Sequence, residues 1–170
     1  MDAVMPVECL ASLLDYPDRR FSQRLAECRA AAASLDASAA LDLERFAEAI
    51  ADEALPALQE RYTRTFDLNS ACTLDMGWHL FAERPERGAF LADLRPKLAS
   101  AGLDERDELP DYLPHLLKLI ARMSAEEGAS LYMTLAPAVD RLLAALSGSP
   151  YACLVRSAWA AGRVGLQVGV

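Results

Sequence analysis

The sequence predicts an all-α protein, a single-domain helical bundle of roughly seven to nine helices. Three observations carry that expectation. Ala and Leu dominate the apolar residues while Val and Ile are scarce, and the first pair favours helix. Apolar residues recur at three- and four-residue steps between prolines, glycines and short polar breaks. No run of β-branched residues alternates with polar ones, and there is no Asn-Gly hairpin, internal repeat or low-complexity linker. The 170 residues suit one domain with a real core, and 53% hydrophobic with 25% charged residues is a globular composition.

The elements follow in order. Val7–Leu14 reads as a short apolar helix stopped at Tyr16-Pro17. Asp18–Leu35 reads as an Ala-rich helix with Phe21, Leu25 and Cys28 on one side. Asp36 and Ser38 are cap candidates for a third helix, with Leu41, Leu43, Phe46 and Ile50 inward. Pro56 suits a first helical position and starts a helix to Phe66, in which Leu58, Tyr62 and Phe66 stand one turn apart. Asp67–Ala71 is a polar turn, and Thr73 is a cap candidate for the short helix Leu74–Ala82. Pro85 opens a helix to about Ser100 that Pro96 should kink and Gly102 should stop. Ser124-Ala-Glu-Glu127 reads as a capping box for a long helix to about Leu146, interrupted at Pro137. Ser149-Pro150 starts a last helix to about Ala161. Gly162–Val170 is Gly/Val-rich, so a disordered tail is open there.

The stretch Asp107–Met123 turns from an acidic loop into an apolar helix. Pro114 is harmless only in a first helical turn, which makes Asp111 the expected N-cap. Tyr112, His115, Leu116, Leu119, Ile120 and Met123 then share a face. An aromatic ring, an imidazole and acidic groups so gather where an apolar stripe begins, a rim suited to a groove that receives another chain. His115, one turn from Asp111, is placed to hydrogen-bond it, which would raise its pKa.

The formal net charge of -8 excludes generic phosphate-driven binding of nucleic acid and favours a basic partner. Cys9, Cys28, Cys72 and Cys153 form no Cys-x-x-Cys pair, which suits buried or idle thiols in a reducing compartment. The N-terminus lacks a signal-peptide pattern, and no apolar run is long enough to span a bilayer, so the cytoplasm is the expected location. With two histidines, His79 and His115, and no ligand spacing, a metal site is not expected. No nucleophile elbow or Gly-rich phosphate loop is present, so an enzyme is not expected either. Tyr62, Phe66 and Asp67 read either as core aromatics with a turn acid or as a groove wall. Trp78-His79 reads either as core or as polar tips beside a loop. The acidic run Asp104, Glu105, Asp107, Glu108 is a solvated loop or, beside a groove, a steering rim.

Several short motifs in order give a resemblance. Leu13-Leu-Asp-Tyr-Pro17, Glu60-Arg-Tyr62 with Phe66-Asp67, Trp78-His-Leu-Phe81, Glu86-Arg-Gly88 and Glu108-Leu-Pro-Asp-Tyr-Leu-Pro114 resemble the NarJ-type nitrate reductase assembly chaperones, the delta-subunit branch of the TorD/DmsD family. The likeness runs from about Leu10 to Met123 and is loose beyond. It implies an all-helical cytoplasmic chaperone that binds the N-terminal segment of a molybdoenzyme catalytic subunit, in the first place the nitrate reductase alpha subunit. The client, not the chaperone, carries the bis-molybdopterin guanine dinucleotide cofactor, whose insertion precedes membrane docking. By position the resemblance assigns peptide binding to Tyr62, Phe66, Asp67, Trp78, His79, Asp111, Tyr112 and His115. Chaperones of selenate, chlorate or perchlorate reductases look much alike, and many NarJ-type chains continue into a longer acidic tail. A small enzyme using a histidine, or a helical adaptor that seals its apolar face by dimerising, are the rival readings. Monomer and dimer both stay open.

Overall fold

The computed structural model describes residues 4–33 and 36–167. Nine α-helices run through them: α1 (Val4–Ser12), α2 (Phe21–Ala32), α3 (Ala37–Ala49), α4 (Leu55–Tyr62), α5 (Met76–Phe81), α6 (Pro85–Ser100), α7 (Leu113–Arg122), α8 (Ala125–Ala145) and α9 (Pro150–Gln167). Between α4 and α5 lie a π-helical turn, Thr63–Asp67, and a 3₁₀ turn, Ser70–Cys72. The described residues form no strand; one isolated bridge pairs Asp75 with Tyr112.

Local chemistry places most boundaries. Asp36 caps α3 by accepting from the Ala39 amide at 2.9 Å. Ser124 caps α8, with its hydroxyl accepting from the Glu127 amide at 3.3 Å and donating to the Glu127 carboxylate at 2.8 Å. Gly102 ends α6 at φ +67°, where the Leu103 amide reaches back to the Leu98 carbonyl at 2.9 Å.

Tertiary packing overrides other signals. Pro137 lies inside a continuous α8 instead of interrupting it, while α6 runs from Pro85 to Ser100 through Pro96, the bounds the sequence led us to expect. A proline removes one backbone donor, and here the loss is outweighed by buried neighbours: Leu135, Ala138 and Val139 around one, Leu94 and Leu98 around the other. The last helix does not stop at Ala161 but runs to Gln167; residues 168–170 of the expected tail lie outside the described part. Gly162 and Gly128 explain the extension. A methyl group on Gly162 would meet Leu117 at 3.2 Å, and one on Gly128 would meet Leu166 at 2.6 Å. These two glycines are the places where α9 lies close on α7 and α8.

The core is one cluster. α1 packs against α7 and α9, α3 lies along α9, and α5 sits on α8. The α3–α9 contact is fixed by Arg156, whose guanidinium donates twice to Asp42 at 3.0 and 3.1 Å, and by Ser157, whose hydroxyl donates to the Ala39 carbonyl at 2.8 Å. Cys9 and Cys28 are not idle thiols. They form a disulfide between α1 and α2, with Cα atoms 5.5 Å apart, whereas Cys72 and Cys153 are free. A spacing of 19 residues gave no sign of this, because two separate helices bring the sulfurs together. Among the described residues no helix is long and apolar enough to cross a membrane.

Candidate functional site

A cleft of about 570 Å³ opens where α4 unwinds into the π-helical turn. Its floor is aromatic. Tyr62 and Phe66 stand one turn apart with ring centres at 4.9 Å, and Tyr112 reaches in from the start of α7. The Tyr62 and Tyr112 hydroxyls lie 3.1 Å apart, and both donate to the Leu14 carbonyl, at 2.9 and 3.1 Å. Both rings are buried, which pushes their phenol pKa values up, so both remain neutral donors.

One wall comes from Thr73, Leu74, Asp75 and Trp78, the other from Leu68 and Ser70. Trp78 is half-buried, whereas Leu68 is 77% exposed at the lip. The mouth is acidic. Asp67, Asp75 and Glu108 line it together with one guanidinium, that of Arg87. Loss of water raises the pKa of Glu108, and the carboxylates of Asp75, Asp67, Asp15 and Asp107 raise it further. Arg87 is shared between Asp75 at 3.6 Å and Asp111 at 3.2 Å.

Asp111 does not cap its own helix. Tyr112 takes the N-cap position of α7, without a side-chain bond. Asp111 is instead fully buried and serves the neighbouring α5. Its Oδ2 accepts from the Gly77 amide at 2.9 Å, while its backbone carbonyl accepts from Met76 at 2.9 Å. The Leu113 amide returns a bond to the Leu74 carbonyl at 2.8 Å. Asp111 thus caps in trans, and Gly77 is required because a Cβ there would stand 2.5 Å from Oδ2. Burial, then Asp75, raises the Asp111 pKa against the pull of Arg87. Thr73 does not cap α5 either; its hydroxyl accepts from the Asp75 amide at 3.3 Å.

The histidines turn away from the cleft. His79 donates from Nε2 to the Thr73 carbonyl at 2.7 Å, and His115 from Nε2 to the Glu105 carbonyl at 3.0 Å. A carbonyl only accepts, so Nε2 carries the proton in both. His115 makes no bond to Asp111, and its pKa is lowered, not raised, because burial outweighs the Glu105 bond. Burial likewise lowers that of His79. Both lie below the ordinary 6.5, so below that pH the unfolded chain binds protons that the folded chain refuses. Stability from these groups is complete above pH 6.5 and falls as the pH drops from there through the folded values. Urea unfolding at pH 7, 6 and 5 is expected to show this loss, and a His79→Gln/His115→Gln variant to show a flatter profile. Identical profiles would remove the histidines from the account.

Of the eight residues singled out from the sequence, Tyr62, Phe66, Asp67, Trp78 and Tyr112 line the cleft. Asp111 and His79 bond the lining residues Arg87 and Thr73, whereas His115 bonds the Glu105 carbonyl outside it. Asp75 and Arg87 were missed as lining residues. Arg87 lay in a quoted motif, Glu86-Arg-Gly88, but its role depends on Asp111 across 24 positions. Among the described residues no three His, Cys, Asp or Glu side chains are grouped to hold a metal ion.

Comparison with known proteins bears on the same residues. A family model described as nitrate reductase delta subunit matches residues 32–149. The chain is 29% identical over 133 residues to the probable nitrate reductase molybdenum cofactor assembly chaperone NarJ of Bacillus subtilis, covering 77% of this chain and 72% of that protein. It is 30% identical over 141 residues to the nitrate reductase molybdenum cofactor assembly chaperone NarJ of Escherichia coli K12, covering 81% of this chain and 60% of that protein. It is 28% identical to the probable assembly chaperone NarW of the same organism, of which it spans 58%. With the family model matching well over half its length and an all-helical fold behind the match, the chain belongs to the nitrate reductase delta subunit family.

Proposed function

We propose that this protein is a system-specific assembly chaperone that binds the N-terminal segment of a respiratory molybdoenzyme catalytic subunit, that of a nitrate reductase. It works in the cytoplasm and holds that subunit ready for insertion of bis-molybdopterin guanine dinucleotide before membrane docking. The cofactor belongs to the client; the chaperone's part is to bind and hold, without chemistry of its own.

The observation that supports this reading best is the cleft. Its volume of about 570 Å³ gives room for a few side chains of an incoming segment. The floor of Tyr62, Phe66 and Tyr112 offers apolar contact, and each fully buried client side chain contributes about 2 kcal/mol before ordering costs. The carboxylates of Asp67, Asp75 and Glu108 outnumber the single Arg87, which favours a basic residue beside the apolar ones. The names of the relatives agree with such a role.

Calorimetric titration with a synthetic peptide of the client N-terminus, at two salt concentrations, tests it. Binding that weakens with salt is expected. Rim charges each contribute modestly, so Asp75→Asn with Glu108→Gln should weaken binding about fivefold and flatten the salt dependence. A folded protein that binds no peptide at either salt concentration would overturn the reading.

A further inference from the structure

Cys9 and Cys28 lie outside the residues matched by the family model, and the peptide reading makes no use of them. Yet the loop they close contains the segment that braces the cleft. Leu14 supplies the carbonyl that both floor tyrosines bond. The Tyr16 ring meets the face of Tyr62 edge-on at 5.4 Å. The Pro17 carbonyl accepts from Gln59 Nε2 at 2.9 Å, tying the segment to α4. All three residues fall between the two cysteines.

The two ends of this segment are held unequally. On one side is α1, whose Val7, Leu10 and Ala11 are fully buried. On the other is α2, which buries only Phe21, Cys28 and Ala32 along its length and has no side-chain cap at its start. Weakly packed helices open locally at low cost. The bond to Cys28 adds a covalent tie from α1 to α2, beside the buried Phe21, Cys28 and Ala32 and the Asp18–Arg24 and Arg29–Glu44 pairs.

We propose that Cys9–Cys28 is a reversible thiol–disulfide site that tunes the peptide cleft. Oxidised, it fixes the Leu14–Pro17 brace and gives the tight-binding form; reduced by a dithiol, it lets the brace move and weakens binding. This rests on the peptide-binding reading above. Cys9 is partly exposed and Cys28 fully buried, so the incoming thiolate attacks Cys9 Sγ. The S–S bond breaks, and Cys28 leaves as thiolate and takes up a proton. The second thiol of the dithiol then attacks the mixed disulfide and frees Cys9. One dithiol becomes a cyclic disulfide, and two protein thiols appear. The reverse step takes a small disulfide oxidant such as glutathione disulfide.

The test uses the full chain, with thiols counted in denaturant after exposure to glutathione disulfide. Two are expected, Cys72 and Cys153. A count of four would overturn the proposal. The client peptide is then titrated into oxidised and dithiothreitol-reduced protein, with hydrogen exchange followed at residues 13–18. Reduction is expected to weaken binding by about three- to tenfold and to speed exchange in that segment. Cys9→Ser should show the weaker affinity with or without dithiothreitol. Equal affinity of the two wild-type forms, or a reductant effect that survives in Cys9→Ser, overturns the proposal. Absence of peptide binding in both forms sinks the peptide reading instead. The exchange comparison then decides the brace by itself: faster exchange on reduction upholds it, and unchanged exchange overturns it.

Discussion

Trp78→Ala is expected to weaken binding of the client peptide by about thirtyfold, the loss typical of a central tryptophan anchor. The same change should lower the melting temperature by only a few degrees. The difference follows from placement. Trp78 is half-buried, lines the cleft wall and lies 5.9 Å beneath the Arg87 guanidinium, so much of its surface is available to a ligand and less of it supports the core. Tyr112 is the contrasting case. From the sequence it is an equally good binding probe, but it is only 4% exposed and its hydroxyl donates to the Leu14 carbonyl 3.1 Å from the Tyr62 hydroxyl. Tyr112→Ala would open a buried cavity and orphan polar groups, and would report stability before binding. Calorimetry beside thermal unfolding checks the pair. An affinity within twofold of wild type for Trp78→Ala would remove the cleft from the binding account.

Asp111→Ala is expected to lower stability by about 3 kcal/mol, a fall in melting temperature of roughly 10 °C for a chain of this size. The change leaves the Gly77 amide without its acceptor, removes the deeper partner of Arg87 and empties a fully buried position. Arg87 is partly exposed and keeps Asp75, which limits the loss. Asp111→Asn retains an acceptor and should cost less. Because a Cβ on Gly77 would stand 2.5 Å from Asp111 Oδ2, Gly77→Ala should also destabilise, and by less when Asp111 is already alanine. Urea unfolding of the two single variants and the double variant measures that coupling. Strict additivity, or an Asp111→Ala loss below 1 kcal/mol, would show that the cap in trans does not hold α5.

This pair also shows how far the sequence reaches. Asp111 is a capping residue beside a proline-containing helix start, and the local rule assigned it to its own helix. The rule identified the right chemistry and the wrong helix. Nothing in the order of residues says that the start of α5, 34 positions earlier, comes closer. His115 is similar: one turn from Asp111 along the helix, it nevertheless bonds the Glu105 carbonyl, because burial turns it toward the loop it packs beneath.

What the sequence determined by itself is the set of local interactions. The all-helical class follows from Ala- and Leu-rich periodicity, and the caps at Asp36 and Ser124 and the stop at Gly102 follow from side chains acting on backbone within a few residues. The aromatic pair Tyr62 and Phe66 was legible because a helical turn fixes their spacing. What only the tertiary structure decided are the contacts between distant segments: the cap of α5 by Asp111, the shared Arg87, the Leu14 carbonyl under two tyrosines, and the Cys9–Cys28 bond. The helix that runs unbroken through Pro137 and the one that runs past Ala161 belong to the same group. Burial against neighbouring helices contributes more there than a proline or a glycine costs, and that burial comes from residues remote in sequence.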